Sequence, residues 1–353
     1  MLLSLGEPAP WFTAPTPSNP EFVFDTVAGR FVLMLFLPAD DGELSSRALK
    51  ALSANHGLMD ERKLTAFVVV RDPATAADAR DMNGLRWFLD PDGAVSRRFG
   101  ALEPDGAEKP GWLLLDPTLR VYASASLEQS EALFPRLAGL PEPLDHAGAP
   151  VNPPVLIAPR VFAPDLCERL IALHEADGGR FTGVMRDVGD RTAVVMDPLK
   201  KRRDVLVQDP ALLAELRERM EVALFPLIAR ALGFRATRIE RYVVSCYDAA
   251  DEAVFHPHRD STTQATAHRR FACSMNLNDG FEGGDLRFPE YGPATCRPPV
   301  GGAVVFSCAI LHEATKVTAG RRYAFLPFFY DEAAAEILAA YERRVGAAPE
   351  PVA

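Results

Sequence analysis

Two histidines and an aspartate occupy alternate positions of the short segment "HPHRD": His256, His258 and Asp260. In an extended strand, residues two apart project from the same face, so the three side chains can converge on one point. Two imidazoles and a carboxylate, with other coordination positions left open, suit non-haem Fe(II). The pattern therefore predicts a metal centre. The alternative from this segment alone is a hydrogen-bonded surface pair of His258 and Asp260.

A further ligand must come from another part of the chain. The second half contains His174 in a predicted helix, His268 in the polar loop "TTQATAHRR", and His312 after the apolar run "GGAVVFSCAI". His312 is the best candidate because it lies at the end of a predicted strand of the same sheet structure as the first pair. His256 is expected at the mouth of the cavity.

A basic pair follows this histidine. Arg322 stands ten residues after His312, beyond the Ala319-Gly320 turn and near the start of another predicted strand. A buried guanidinium on an antiparallel neighbour would bind a carboxylate in bidentate fashion. Adjacent strand residues face opposite sides, so either Arg321 or Arg322 points inward.

In chain order these motifs form a series: "HRD", then "NLNDGFEGGDLRFP", "GGAVVF" and "HEATKVTAGRR". The series covers roughly residues 155–332. It resembles the 2-oxoglutarate- and Fe(II)-dependent dioxygenases, specifically the prolyl 4-hydroxylase-like branch.

The resemblance implies roles for particular residues. His258, Asp260 and His312 would hold Fe(II), Arg322 would hold the distal carboxylate of 2-oxoglutarate, and Tyr247 would help to bind this cosubstrate. O2 would be the oxidant, and ascorbate is a further candidate cofactor. The expected reaction hydroxylates an aliphatic C–H of a prolyl or other protein or amino-acid substrate and releases succinate and CO2. A small-molecule substrate stays open.

Two other functions are considered. One is a non-catalytic binding or regulatory protein built from two degenerate enzyme domains. The intact ligand set argues against it. The other is a cupin-like dioxygenase that needs no 2-oxoglutarate, and the arginine ten residues after His312 argues against that.

The chain has 353 residues, which favours two domains. A proline-rich, aperiodic stretch from Leu140 to Pro164 marks the boundary, so we expect domains at 1–145 and 155–345.

The first half alternates continuous apolar runs, 31–37 and 64–70, with segments of helical spacing, which is typical of an α/β sheet. The second half opens with helices, continues as short strand-like runs typical of a jelly roll, and closes with a helix. The expected C-terminal fold is a double-stranded β-helix (jelly roll) with flanking helices.

The first half also has a family resemblance. "LGEPAPWFTAP", "FVLMLFLPADDGELSS", "WFLDPDGAVSRRFGA" and "GWLLLDPTLRVY" are similar to segments of the peroxiredoxins, or alkyl-hydroperoxide-reductase-like proteins, over roughly residues 4–138. This implies a thioredoxin-like fold. The family motif Pro-x-x-x-Thr-x-x-Cys aligns with Pro38, Gly42 and Ser45, so the peroxidatic cysteine is absent. We expect a catalytically inactive domain serving as a scaffold, a homodimer surface or a substrate-recognition module.

Composition limits the remaining options. The net charge of −10 argues against nucleic-acid binding, and no segment resembles a membrane span or a signal peptide. The five cysteines are scattered and lack metal or disulfide spacing, which is typical of reduced thiols and a cytoplasmic protein. The charged run "LKKRRD" (199–204) is interpreted as a solvated face, with a cavity flank that attracts an acidic substrate as the alternative.

The serine at position 45 generates the first prediction. A hydroxyl is almost fully protonated at neutral pH and does not attack peroxide, whereas a thiolate at a helix start does. Residues 1–150 expressed alone should therefore consume no peroxide with a thiol reductant. Ser45→Ala in the full chain should leave 2-oxoglutarate turnover nearly unchanged. Catalytic peroxide consumption that disappears in the Ser45→Ala protein would show a second activity instead.

Overall fold

The computed structural model describes residues 2–40 and 42–346. The chain forms two compact units. The first runs to Pro153 and includes the short segment Pro289–Pro293, and the second begins at Pro154 and contains the other described residues. No helix among the described residues is long and apolar enough to cross a membrane.

The first unit is an α/β structure. Its strands are β1 Thr13–Ala14, β2 Phe22–Val23, β3 Phe31–Phe36, β4 Leu64–Val70, β5 Leu85–Leu89, β6 Gly111–Leu115 and β7 Val121–Ala125. Its helices are α1 Glu43–Ala54, α2 Pro73–Asp78, α3 Ala94–Arg98 and α4 Ser130–Ala138.

Five of these strands form one sheet in the order β5-β4-β3-β6-β7. The neighbours of β4 are parallel to it, and β6 is antiparallel to both of its neighbours. Every residue of β3 and β4 is buried, which explains why both read as continuous apolar runs. Helices α1 and α4 pack on one face through a core that includes Leu33, Leu52 and Phe134.

The start of α1 is the place where the peroxiredoxin motif predicts a reactive thiol. Ser45 is buried in the first turn of this helix. The nearby backbone N–H of Ala39 already donates to Glu108, 3.0 Å away, and the same carboxylate pairs with Arg71. The Glu108 carboxylate therefore already accepts a hydrogen bond from one of the backbone N–H groups that precede this helix.

The second unit is dominated by antiparallel strands. The strands are β8 Leu156–Ala158, β9 Arg180–Phe181, β10 Val184–Val188, β11 Arg191–Val195, β12 Lys200–Lys201, β13 Arg203–Leu206, β14 Arg238–Glu240, β15 Val243–Asp248, β16 Val254–His258, β17 Phe271–Asn276, β18 Glu282–Gly283, β19 Leu286–Arg287, β20 Thr295–Cys296, β21 Ala303–Ser307, β22 His312–Ala314, β23 Val317–Ala319, β24 Arg321–Phe325 and β25 Phe328–Tyr330. The helices are α5 Pro164–Asp177, α6 Pro210–Ala223, α7 Phe225–Leu232 and α8 Glu332–Val345.

Two sheets organise this unit. The larger has nine strands and runs β14-β25-β17-β24-β15-β13-β9, with β21 paired to β17 and β8 paired to β21. The smaller has five strands in the order β12-β16-β22-β19-β20. A small cluster of buried side chains joins them, since Tyr247 of the larger sheet packs with Phe255 and Ala314 of the smaller.

The sequence from residue 210 to 232 has the pattern of one long amphipathic helix, but it forms two helices. Helix α6 ends at Ala223 and α7 begins at Phe225, with Leu224 between them. Pro226 lies in the first turn of α7, where its missing N–H costs nothing, whereas it would break a continuous helix. The proline therefore starts a helix and does not merely kink one.

Gly301 is a glycine of this unit at which a side chain would meet the backbone of another segment. Gly301 has a φ of +70°, and its carbonyl accepts hydrogen bonds from the N–H groups of Val161 and Phe162. A Cβ at this position would overlap the carbonyl oxygen of Phe162.

We therefore expect Gly301→Ala to lower the free energy of unfolding by more than the ~1–2 kcal/mol that a left-handed residue costs by itself. Gly233→Ala is the matched control, because Gly233 has a φ of +65° but a Cβ there meets no atom within 4 Å. Chemical denaturation of both variants measures the difference. Equal losses would mean that the backbone at Phe162 yields without cost.

Candidate metal centre

The structure brings the three predicted ligands together. His258 ends β16, Asp260 follows it, and His312 begins β22. In the β16–β22 ladder His258 lies directly opposite His312. One ligand atom from each of the three residues lies within 4.8 Å of the others. The His312 Nε2 is 3.2 Å and the His258 Nε2 is 3.6 Å from the Asp260 carboxylate.

Backbone carbonyls orient both imidazoles. The His258 Nδ1 lies 2.7 Å from the carbonyl oxygen of His256, and the His312 Nδ1 lies 3.0 Å from that of Ile310. A carbonyl only accepts, so each Nδ1 carries the proton and each Nε2 lone pair is free for a cation. His256 itself is exposed, and its contribution here is its main chain.

The protonation states also fit a metal site. Burial, together with the neighbouring His312, lowers the pKa of His258 to about 4. Burial alone would raise the pKa of Asp260, but His312 and His258 hold it well below its usual range. Near neutral pH the cluster therefore offers a neutral imidazole beside a carboxylate, which is the state that binds divalent metals.

Aromatic rings surround the two histidines. Phe255 stacks on His258 with ring centroids 3.5 Å apart, and Phe306 lies 4.6 Å from His312. Phe288 is farther from His312, at 6.5 Å. These rings cover part of the cluster, and His258 and Asp260 keep some solvent contact.

A second group of charges holds the backbone of Asp260. Arg269 reaches the Asp260 carbonyl oxygen at 3.4 Å and pairs with Glu240. His268 is the other partner of Glu240, at 2.8 Å. Burial by itself would raise the pKa of Glu240, yet Arg269 and His268 lower it far below its usual range. His268 is thus a partner of Glu240 and lies outside the His258–Asp260–His312 cluster. His174 is buried beside the carbonyl oxygen of Arg203.

Of the two neighbouring arginines, Arg322 faces inward. Its side chain is 2 % exposed, whereas Arg321 is exposed and pairs with Asp248. Arg322 donates to Asn276 Oδ1 at 3.0 Å and to Ser274 Oγ at 2.7 Å. Among residues 2–40 and 42–346 it has no ion pair with a carboxylate. A buried guanidinium held only by neutral groups is suited to an anionic ligand.

Tyr247 is directly opposite Arg322 in the β15–β24 ladder, and the guanidinium carbon is 5.3 Å from its ring centroid. Tyr247 also belongs to a small buried cluster, and Phe255, the ring that stacks on His258, packs against that same cluster. Arg322 and the histidines therefore border one small group of side chains.

The charged run at 199–204 does not form a solvated face. Lys200, Arg202 and Asp204 are buried, while Lys201 and Arg203 between them keep solvent contact. The interpretation of the run as a solvated face was wrong because Lys200 and Arg202 are buried with the carboxylate of Asp204. Burial and the nearby Arg202 lower the pKa of Lys200 to about 6.

Sequence reasoning missed several residues of this region. Ser274 and Asn276, which hold Arg322, are polar residues two apart on an otherwise apolar strand, and that alternation was a usable signal. The pairs Arg269–Glu240 and Arg202–Tyr247 join distant segments, and nothing in their local sequence indicates a partner.

Two family models match the chain. Residues 242–330 match the 2OG-Fe(II) oxygenase superfamily, and residues 5–124 match the AhpC/TSA family. The chain thus joins a segment that matches the AhpC/TSA family to a segment that matches the 2OG-Fe(II) oxygenase superfamily, which confirms both resemblances. No curated protein matches the sequence.

Among solved structures, the chain is similar to a prolyl hydroxylase from Trichoplax adhaerens in complex with a hypoxia inducible factor oxygen degradation domain peptide fragment. The identity is 17%, the TM-score is 0.42, and the match covers 57% of this chain and 92% of that one. A Pseudomonas putida prolyl-4-hydroxylase has 17% identity and a TM-score of 0.38, over 51% of this chain and 94% of that one. A viral collagen prolyl hydroxylase from Paramecium Bursaria Chlorella virus-1, as a 2OG complex, has 12% identity and a TM-score of 0.37, over 50% and 94%. The relation to the two families rests on the family matches and not on these distant structural similarities.

The cluster predicts how metal binding depends on its residues. His258→Ala, Asp260→Ala and His312→Ala should each weaken Fe(II) binding by more than the roughly 10- to 100-fold that loss of an outer partner costs. Anaerobic calorimetry and metal analysis after dialysis measure the affinity and the stoichiometry. His268→Ala is the control, because His268 lies outside the cluster, and it should keep one metal per chain. A His312→Ala protein that retains a tightly bound iron would show that His312 is not a ligand.

Proposed function

We propose that the C-terminal domain is a 2-oxoglutarate- and Fe(II)-dependent dioxygenase that hydroxylates an aliphatic C–H of a prolyl or other protein or amino-acid substrate. The balanced reaction converts substrate, 2-oxoglutarate and O2 into hydroxylated substrate, succinate and CO2. We also infer that the two sheets of this domain form a double-stranded β-helix. The superfamily match supports the oxygenase class, and the motif series of the prolyl 4-hydroxylase-like branch supports the substrate class.

One observation carries the proposal: Arg322 is a buried guanidinium with no carboxylate partner among the described residues, and it borders the same small group of side chains as the His258–Asp260–His312 cluster. Removing a charge from water without a counter-ion costs several kcal/mol. A dicarboxylate that reaches the metal with one end and Arg322 with the other would supply that counter-ion. The donor set of two imidazoles and one carboxylate suits Fe(II).

The chain's own residues have defined parts in this scheme. His258, Asp260 and His312 would hold the iron on one side and leave the remaining positions open. Bound Fe(II) supplies the activation of O2 that is coupled to decarboxylation of 2-oxoglutarate. Arg322 binds the distal carboxylate, and Ser274 and Asn276 fix its guanidinium so that no reorganisation is needed when the ligand arrives. Phe255, Phe288 and Phe306 cover part of the metal side.

Turnover tests this function directly. The full-length protein with Fe(II) should form succinate from 2-oxoglutarate, and a panel of proline-containing peptides and free amino acids should identify members that accelerate it. Asp260→Ala is the inactive control. Stoichiometric metal binding without any succinate would favour the non-catalytic binding protein.

The cosubstrate role of Arg322 gives a separate prediction. Leaving a buried charge without its partner costs about 3–5 kcal/mol, so Arg322→Ala should weaken 2-oxoglutarate binding by roughly two to four decades while the iron stays bound. Arg321→Ala is the matched control, because this neighbour is exposed and pairs with Asp248. Calorimetric titration with 2-oxoglutarate measures both variants. If the Arg321 variant loses affinity and the Arg322 variant does not, the role belongs to the other arginine.

A further inference from the structure

Arg202 and Tyr247 form a buried hydrogen bond beside the candidate cosubstrate pocket. The Arg202 Nη1 donates to the Tyr247 hydroxyl at 2.9 Å. Arg202 is 7 % exposed and Tyr247 is 2 % exposed, so water does not compete for this contact. Arg202 lies between β12 and β13, and Tyr247 lies in β15, 45 positions further along the chain.

The guanidinium of Arg202 is held from several sides. Its Nε lies 2.9 Å from Asp204 Oδ1, and its Nη2 donates to Asp204 Oδ2 at 3.3 Å. Asp204 is fixed in turn by the hydroxyls of Thr182 and Ser245. The guanidinium carbon also lies 5.5 Å from the ring centroid of Phe255. Its direction toward Tyr247 is therefore set before any ligand binds.

This geometry restricts what the tyrosine can do. A phenol can accept a hydrogen bond and can donate its single proton, whereas a guanidinium only donates. Because Arg202 takes the role of donor, the Tyr247 proton must point to another acceptor. The described residues show no hydrogen bond donated by this hydroxyl, and the ring lies against Arg322. A buried donor without an acceptor, next to an arginine without a carboxylate, is suited to an anionic oxygen ligand.

We propose that Arg202 is a positioning residue, which fixes the Tyr247 hydroxyl as a hydrogen-bond donor to 2-oxoglutarate beside Arg322. Arg202 acts through the tyrosine and needs no contact with the ligand itself. This inference rests on the proposed function, because it concerns the same cosubstrate pocket.

A double-mutant cycle on the full-length protein tests it. The probe is 2-oxoglutarate, titrated by anaerobic calorimetry into the protein loaded with Mn(II), so that no turnover occurs. Tyr247→Phe should weaken binding roughly 10- to 100-fold, the range expected for a hydrogen bond to a charged group. Arg202→Met should weaken binding roughly 3- to 30-fold, and in the Tyr247→Phe background it should change the affinity by less than about twofold.

Two further variants separate the effect of the orientation of the Arg202 guanidinium from the effect of its positive charge. Arg202→Lys keeps the charge but not the planar fork, so it should recover little of the lost affinity. Arg203→Met is the matched control at the next position, since Arg203 keeps solvent contact and pairs with Asp251. It should bind 2-oxoglutarate like the unaltered protein. Full recovery by lysine, or an undiminished effect of Arg202→Met in the Tyr247→Phe background, would show that Arg202 acts through its charge and would overturn the proposal.

Stability has to be monitored because Arg202 is buried. Lys200 lies 3.4 Å from Asp204 and can neutralise it when Arg202 is removed, and thermal unfolding of each variant checks this. If Arg202→Met does not fold, the cycle is completed with Arg202→Lys, whose loss should likewise vanish in the Tyr247→Phe background. If the unaltered protein binds no 2-oxoglutarate, the proposed function fails together with this inference. If Arg322→Ala abolishes binding but the Arg202 variants do not affect it, only this inference fails.

Discussion

The register of two antiparallel strand pairs determines the composition of the candidate site. Pairing of β16 with β22 sets His258 opposite His312, and pairing of β15 with β24 sets Tyr247 opposite Arg322. Because side chains alternate between faces, a slip of one residue in either ladder would remove the site. In β24 such a slip would turn Arg321 inward and leave Arg322 in solvent. The metal cluster and the cosubstrate pocket are therefore consequences of backbone pairing as much as of residue type.

In the described part of the chain, four arginines of the second unit have only two carboxylates as ion-pair partners. Arg202 and Arg241 lie near the single carboxylate of Asp204, Arg269 is paired with Glu240, and the partners of Arg322 among the described residues are neutral. Burying charge in this way costs stability unless each group is compensated. An unpaired cation in a folded protein is therefore better explained by a ligand than by stability. Residues 242–330 match the 2OG-Fe(II) oxygenase superfamily, and the dicarboxylate cosubstrate in the name of that superfamily agrees with the sign of the uncompensated charge.

The sequence predicted the convergence of His258, Asp260 and His312 because local spacing and strand ends carry that information. It left the choice between Arg321 and Arg322 open, since both stand at the start of one strand and only the register decides between them. The inward orientation of Lys200, Arg202 and Asp204 was not predictable in the same way. These charges are neutralised by partners on other strands, such as Ser245 and Tyr247, and local polarity instead favours a solvated surface. The break at Leu224 is of the same kind, because a proline can kink a helix or begin one and the sequence alone fits both.

The cluster around Asp204 also shows how a precise contact can be maintained among competing cations. Lys200 and Arg202 both lie within 3.4 Å of this carboxylate, and two full positive charges there would repel each other. Burial and Arg202 lower the pKa of Lys200 to about 6, so at neutral pH the lysine is mostly uncharged. It still contacts the Thr182 hydroxyl and the Gly183 carbonyl oxygen through its Nζ. Arg202 is then the main counter-ion of Asp204, and it does not share this carboxylate with a second full charge at Lys200. The uncharged lysine fills space beside the ion pair, and Arg202 keeps the orientation in which it contacts Tyr247.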